Sequence, residues 1–237
     1  IRIVYSYTNP QTAPSSELRT LASLHPHPNY APNASTDSDG LGKTNDIGVV
    51  VLNEPIANGV TTPILPENMV DSVLVPGSQV HVVGYGINNI NTWASGILYK
   101  AITPYIRHIS WEMLAGSPGN PDSCNGDSGG PAYMEVGGAL YLVGVTSRAW
   151  KKSQKMCGDG GIYTIASAHL TWLEGVVGNL DAGVSDITLD VSHLDASESC
   201  LPLTSRCHPM TNEGCDSSAG EACKVTNGAM TCQKASN

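Results

Sequence analysis

Short apolar runs separated by turn-forming residues are the feature that most constrains this sequence. Runs rich in Val, Ile, Leu and Tyr, each bounded by Gly, Pro, Asn or Ser, occur at residues 2–6, 48–52, 73–75, 80–83, 97–101, 132–134 and 140–146. This pattern is typical of short strands in a barrel or sandwich. One segment differs, because after Ser167, a candidate N-cap, apolar residues recur at helical spacing: Leu170, Leu173, Val176, Val177 and Leu180. The sequence therefore predicts a mostly β domain that ends in one helix.

The charge content excludes several classes of protein. Charged residues make up 14% of the 237 residues, and 12 Lys and Arg against 21 Asp and Glu give a net charge of -9. Disordered chains, coiled coils and long helical bundles carry more charge, and nucleic-acid binding depends on Lys and Arg. The apolar runs are also far shorter than the roughly 18 residues of a membrane span. We expect no nucleic-acid partner and no membrane-spanning helix.

The cysteines divide the chain into two parts. Cys124 and Cys157 stand apart in the first 180 residues, and the other five crowd into the last 38: Cys200, Cys207, Cys215, Cys223 and Cys232. Their spacing lacks the close pairs of a zinc site, so a small disulfide-rich module is expected. Because five is an odd number, a partner beyond Asn237, an intermolecular partner and a free thiol all stay open.

The most informative stretch is P-D-S-C-N-G-D-S-G-G-P-A at residues 121–132. Glycines and turn formers surround Ser128, so the backbone can turn sharply and direct N–H groups inward, as an oxyanion hole requires. The tetrapeptide G-D-S-G alone fits an ordinary turn equally well, but the complete string is far more specific. It resembles the nucleophile loop of trypsin-like serine proteases, and the resemblance extends over most of residues 1–180.

The resemblance implies roles for individual residues. Ser128 matches the nucleophile, and the amides of Gly126 and Ser128 match the pair that binds the oxyanion. The segment T-N-D-I-G-V-V-V-L is similar to the family's aspartate segment, so Asp46 matches the carboxylate that orients the catalytic imidazole. Ser147 matches the serine that hydrogen-bonds this aspartate and whose backbone pairs with the substrate.

The specificity pocket has its own matching residues. Asp122 matches the carboxylate at the pocket floor, which would select a substrate Arg or Lys through a desolvated charge pair. Gly161 matches a small pocket-wall residue, and Cys124 and Cys157 match the disulfide that ties the walls together. Asp127 matches the buried carboxylate that pairs with the amine released when the zymogen is cut, because a buried carboxylate needs a cation.

Two departures from the family pattern concern specificity. The usual Trp-Gly edge of the pocket becomes Arg148-Ala149, which removes an aromatic wall and adds a methyl group at the pocket mouth. A preference for residues smaller than Arg or Lys therefore stays open. An insertion at 149–156 adds lysines near the rim, and we interpret it as a solvated surface loop: Lys151, Lys152 and Lys155.

The catalytic base is missing from the pattern. The family's A-A-H-C motif occurs at none of the seven histidines, which are His25, His27, His81, His108, His169, His193 and His208. In relatives, the strand that resembles I-R-I-V-Y-S-Y-T begins shortly after this histidine. We therefore expect the base to precede Ile1, and we expect the chain alone to be inactive.

These observations predict a secreted serine endopeptidase with an all-β fold. The resemblance implies two antiparallel six-stranded β-barrels, the N-terminal one incomplete, in a protease domain at 1–180. A linker at 181–199 and the cysteine-rich module at 200–237 follow, and surface attachment is one role that fits the module. The expected partners are protein or peptide substrates and protein inhibitors of proteases, and no metal or cofactor is expected.

The competing hypothesis is a catalytically inactive, protease-like protein that serves binding or adhesion. In such a protein the histidine would be replaced while the fold is kept. The joint presence of Ser128, Asp46 and Asp122 argues against it, because decay of an active site usually removes such residues.

Overall fold

Antiparallel strands dominate the fold, as the short apolar runs predict. The computed structural model describes residues 2–4, 7–56 and 59–178, together with the backbone of 221–226 and 229–234. The strands are β1 (Arg2–Ile3), β2 (Arg19–Pro26), β3 (Gly48–Leu52), β4 (Gln79–Gly84), β5 (Tyr99–His108), β6 (Glu112–Ala115), β7 (Pro131–Val136), β8 (Ala139–Ala149), β9 (Gly161–Ile165), β10 (Glu221–Thr226) and β11 (Ala229–Lys234). The helices are α1 (Val70–Val73) and α2 (Leu170–Val177).

Six strands close into a barrel in the order β4-β5-β6-β9-β8-β7. In β4, Val80 and Val82 are buried on one face while His81 between them is half-buried, which is the period of two expected of a strand. All residues of β6 and β9 are buried, so these strands are covered on both faces. The barrel therefore contains two strands whose residues are all buried.

The N-terminal part forms a smaller sheet. β2 lies between β1 and β3 and runs antiparallel to both. The side chains of β2 alternate between half-buried and exposed along its whole length. In the described residues this sheet is three-stranded and open, so the second barrel stays a prediction.

Several predicted elements differ from the structure. The run at 73–75 was expected to be a strand, but Val73 ends helix α1, because Val70 and Val73 turn toward the core together at a spacing of three. β1 is shorter than the predicted strand at 2–6, and β5 begins later and runs further than the predicted one at 97–101. The sequence patterns missed five of the described strands, namely β2, β6, β9, β10 and β11.

The C-terminal helix is present where its periodicity predicts it. Ser167 is not its N-cap, because Ser167 opens a turn of 3-10 helix that precedes α2 and makes no capping hydrogen bond. Gly178 ends α2 with a φ of 85°, and its amide donates to the carbonyl of Glu174. None of the described helices has the length and apolar character of a membrane span.

The chain divides into two compact units, one of residues 1–134 and 140–180, the other of residues 135–139 and 181–237. In the second unit, β10 and β11 form a hairpin in which Cys223 is the register partner of Cys232. The linker at 181–199 and the remaining tail cysteines lie outside the described residues. The disulfide framework and the domain boundaries therefore stay predictions.

A small apolar cluster joins the loop at 37–41 to the barrel. Leu41 is 1% exposed and packs with Leu114 of β6 and Ile162 of β9, and Trp150 adds its ring from the segment after β8. Removing a fully buried leucine side chain exchanges these contacts for a cavity.

We expect Leu41→Ala to lower the free energy of unfolding by about 3 kcal/mol. The matched control is Leu140→Ala on β8, where the side chain is 47% exposed and the expected change is below about 0.5 kcal/mol. Urea denaturation measures both. Equal stability of the two variants would contradict the packing of Leu41.

Candidate active site

The loop that carries Ser128 is a series of tight turns. The amide of Asp127 donates to the carbonyl of Cys124 at 3.0 Å, and the amide of Gly130 donates to the carbonyl of Asp127 at 2.8 Å. Gly126 has a φ of 98°, a conformation that L side chains rarely adopt. Ser128 is exposed at the tip. Within the described residues, the amides of Gly126 and Ser128 donate to no protein acceptor.

A disulfide and a carboxylate hold this loop against the barrel. Cys124 and Cys157 form the disulfide, with their Cα atoms 5.2 Å apart. The two oxygens of Asp127 accept hydrogen bonds from the amides of Gly86 at 2.7 Å and Cys124 at 2.8 Å. Gly86 must lack a side chain, since a Cβ there would overlap the Asp127 carboxylate. A cavity of about 330 Å³ adjoins Asp127.

Asp46 lies just before β3, and residues of the barrel strands β8 and β9 hold it by hydrogen bonds. Its Oδ2 accepts a hydrogen bond from the hydroxyl of Ser147 at 2.7 Å, across 101 residues of sequence. The hydroxyl of Thr164 donates to the backbone carbonyl of Asp46 at 2.8 Å. The preceding residue, Asn45, has a φ of 50°, which turns the chain into position.

A second, smaller cavity of about 60 Å³ brings several predicted site residues together. Its lining includes Asp122, Ser128, Ser147, Ala149 and Met156. Gly160 also lines it, whereas the predicted wall residue Gly161 lies in β9 opposite Ala149.

Asp122 is held by the turn that follows Cys157. Its two oxygens accept hydrogen bonds from the amides of Gly158 and Gly160, both at 2.6 Å. Burial raises the pKa of Asp122 above its usual 3.8, and these amide hydrogen bonds oppose the shift. Backbone amides therefore orient the Asp122 carboxylate, which is partly removed from solvent.

None of the five described histidines donates a hydrogen bond to Ser128 or Asp46 or accepts one from them. His25 contacts Ser23, and His108 contacts Tyr105 and Asp71. His81 lies in β4, and His193 and His208 lie outside the described residues.

The remaining two, His27 and His169, pack against each other with ring centroids 5.0 Å apart. They belong to an aromatic cluster with Trp172 and Trp111. Burial, with smaller contributions from the charges of His27 and Lys43, lowers the pKa of His169 to about 4. This imidazole is therefore neutral at pH 7.

Comparison with known proteins identifies the family. A family model described as Trypsin matches residues 2–173. The chain belongs to the trypsin family. In the described residues of this trypsin-family chain, no group of three or more His, Cys, Asp or Glu side chains is arranged to hold a metal ion.

Two curated relatives show how far the similarity extends. CLIP domain-containing serine protease B14 of Anopheles gambiae is 48% identical over 65 residues, which is 26% of this chain and 16% of the relative. Chymotrypsin-like elastase family member 1 of Canis lupus familiaris is 27% identical over 141 residues, which is 54% of this chain and 52% of the relative. The chain thus spans about half or less of the length of these relatives.

Arg148, expected at the pocket edge, lies there in this trypsin-family chain and also has a second set of contacts. It lines the small cavity, but its guanidinium group forms a two-point ion pair with Glu112, at 2.8 and 2.7 Å. It also donates to the hydroxyl of Ser147 at 3.0 Å and to the carbonyl of Gly40 at 2.6 Å. Because the Ser147 oxygen accepts from Arg148, its own proton is free to bond Asp46.

Sequence reasoning missed Glu112, which is fully buried in β6. Its carboxylate also accepts hydrogen bonds from the amide of Gly42 at 2.8 Å and the hydroxyl of Thr44 at 2.5 Å. The available signal was an acidic residue inside the apolar run W-E-M-L-A, since a buried charge requires a partner. Glu112 thereby connects the segment before Asp46 to the barrel.

We expect Glu112→Gln to lower the free energy of unfolding by about 3 kcal/mol, because Arg148 keeps its charge and loses its partner. Replacing both, as Glu112→Leu with Arg148→Met, removes the unpaired charge but leaves the amide of Gly42 and the hydroxyl of Thr44 without an acceptor, so we still expect a loss of about 2 kcal/mol or more. Urea denaturation measures the series, with Asp71→Asn, whose side chain is 95% exposed, as the charge-matched control. A loss below about 1 kcal/mol for Glu112→Gln would contradict the anchoring role.

Proposed function

We propose that the protein containing this chain is a serine endopeptidase with Ser128 as its nucleophile. The observation that supports it most is that Ser128 lines one cavity with Asp122 and Ser147, while Ser147 holds Asp46. Asp46, Ser147 and the loop that carries Asp122 and Ser128 come from three separate parts of the sequence, so their meeting is not a consequence of one local turn.

In the proposed reaction, the hydroxyl oxygen of Ser128 attacks the carbonyl carbon of the scissile peptide bond. The serine proton passes to an imidazole, which then delivers it to the departing amine. Water hydrolyses the resulting acyl-enzyme by the same route in reverse. The unpartnered amides of Gly126 and Ser128 would stabilise the oxyanion, and Asp46 would orient the imidazole.

We propose that the imidazole comes from outside the described residues. We propose that it precedes Ile1, following the order of elements in the family resemblance. The sheet of β1, β2 and β3 would then belong to an N-terminal barrel that this upstream sequence completes. Secretion is also proposed, supported by the disulfide and by the cysteine-rich tail.

We propose that Asp122 selects Lys or Arg as the residue before the scissile bond. Its carboxylate lines the cavity and is partly desolvated, so a substrate cation would gain a strong charge-assisted contact there. The cavity of about 60 Å³ has room for about five water-sized groups.

We also propose that Asp127 responds to zymogen cleavage. Two backbone amides already bind its oxygens, and the 330 Å³ cavity beside it is large enough to admit a chain terminus. A new amino-terminal cation could pair with Asp127 there. Protein protease inhibitors would bind at the same cleft as substrates, and the tail would serve surface attachment.

The first test compares hydrolysis of Lys and Arg esters by residues 1–237 alone and by the protein extended upstream. We expect the extended protein to be active, and Ser128→Ala to reduce its kcat/KM by about 10⁴-fold or more. The control is Ser72→Ala at an exposed serine, which is expected to leave kcat/KM unchanged.

Two results would contradict this proposal. Hydrolysis by residues 1–237 alone, abolished by Ser128→Ala, would mean that the base lies within the chain. An extended protein that folds and binds peptides, but hydrolyses none of them, would instead favour the inactive binding protein.

The second test concerns Asp122. We expect Asp122→Asn in the extended protein to lower kcat/KM for a Lys substrate by about 100-fold or more, and to change a Leu substrate by less than about threefold. Because burial raises the pKa of Asp122, the preference for Lys over Leu should fall with decreasing pH before an ordinary Asp would be protonated. Asp71→Asn should leave the preference intact, and an unchanged preference in Asp122→Asn would refute the assignment.

A further inference from the structure

Two loops meet beside the proposed substrate edge, and neither has a role in the catalytic proposal. One is the 37–41 loop, and the other is the 150–156 loop that follows β8. The lysines of the second loop lie at the surface, as expected, and two of them bond to the first loop. Lys152 Nζ lies 2.6 Å from Asp39 Oδ1, and Lys151 Nζ lies 3.3 Å from the carbonyl oxygen of Asp37.

The pairing of β8 with β9 shows which backbone groups after Thr146 point toward β9. Arg148 is the register partner of Ile162, and the amide of Trp150 donates to the carbonyl of Gly160 at 3.0 Å. Backbone groups of alternate residues point to opposite edges of a strand. Because Trp150 faces β9, Ala149 directs its backbone groups to the outer edge, which is the edge proposed to pair with substrate. The register shifts between Thr146 and Arg148, so Ser147 lies at an irregularity of β8. Lys151 lies in the turn that follows β8.

The outer edge is already occupied at Lys151. Its amide donates to the carbonyl of Asp39 at 3.3 Å. A Cβ on Gly40 would lie 2.8 Å from the Cβ of Lys151, so the two backbones are in close contact. An added strand needs about 4.8 Å from its neighbour, and no such space remains between these loops.

Charges and apolar packing both hold the 37–41 loop in this position. Arg107 of β5 forms ion pairs with Asp37 and, at 2.9 Å, with Asp39. The hydrogen bond from Lys152 is the largest contribution that lowers the pKa of Asp39, so this carboxylate is ionised at neutral pH. Leu41 is buried in the barrel at the end of the loop.

We infer that this bridge, formed by Asp39, Arg107, Lys151 and Lys152, closes the substrate cleft on the side N-terminal to the scissile bond. The inference rests on the proposed endopeptidase function. The first substrate residue before the bond would pair with Ser147 and the third with Ala149, but the fifth would need the amide of Lys151. The chain has to bend away at the fourth residue, so the substrate class is flexible or turned segments rather than long extended ones.

The test uses the extended protein and peptide amides with one to six residues before the scissile bond. We expect kcat/KM to rise with length up to three residues, and to change by less than about twofold from three to five. The double variant Asp39→Ala with Lys152→Met should raise kcat/KM for the five-residue substrate about fivefold, and leave the three-residue substrate within about twofold.

Lys155→Met is the matched control, because it removes a charge from the same loop. Within the described residues, only the backbone amide of Lys155 is bonded, to Asp159. In this variant, kcat/KM should depend on the length of the peptide substrate as it does in the wild type. A wild-type kcat/KM that keeps rising from three to five residues would overturn the closed cleft alone, whereas failure to cleave any peptide would overturn the proposed function and this inference with it.

Discussion

The buried carboxylate of Glu112 is the constraint on which the site geometry depends. A carboxylate with no exposed surface has to be compensated, and here Arg148, Gly42 and Thr44 together provide the donors. Thr44 lies two residues before Asp46, and Arg148 lies next to Ser147. Satisfying one charge in β6 therefore brings Asp46 to the hydroxyl of Ser147, although neither residue touches Glu112.

The same anchor accounts for the closed side of the cleft. Arg148 also binds the carbonyl of Gly40, so the segment that supplies donors to Glu112 carries the 37–41 loop against the barrel. Once Leu41 is buried there, Asp37 and Asp39 lie beside Arg107 and Lys152, and their charges compensate each other. The positioning of the candidate carboxylate and the proposed limit on substrate length thus depend on the same docked segment.

The sequence predicted those features that depend on local chemistry. The turn around Ser128 and the C-terminal helix are present, because glycines and apolar periodicity specify them directly. The Cys124–Cys157 disulfide is present as the family resemblance implies. β9 was missed because it is buried on both faces and shows no alternation. The partnership of Glu112 with Arg148 was missed because a single acidic residue does not reveal which distant cation will compensate it.

The distribution of compensated charge also explains why an acidic pocket can coexist with a basic rim. Around the cleft, Arg148 is paired with Glu112, and Lys152 is paired with Asp39. Asp122 differs from these acids, since its described partners are backbone amides, which are dipoles and carry no net charge. A cation paired with an anion produces little electrostatic potential at a distance, because the two charges cancel. A carboxylate bonded only to backbone amides keeps its net negative charge, so its potential extends into the cavity. Under the proposed function, this remaining negative charge on Asp122 is what would attract a cationic substrate side chain to the cavity.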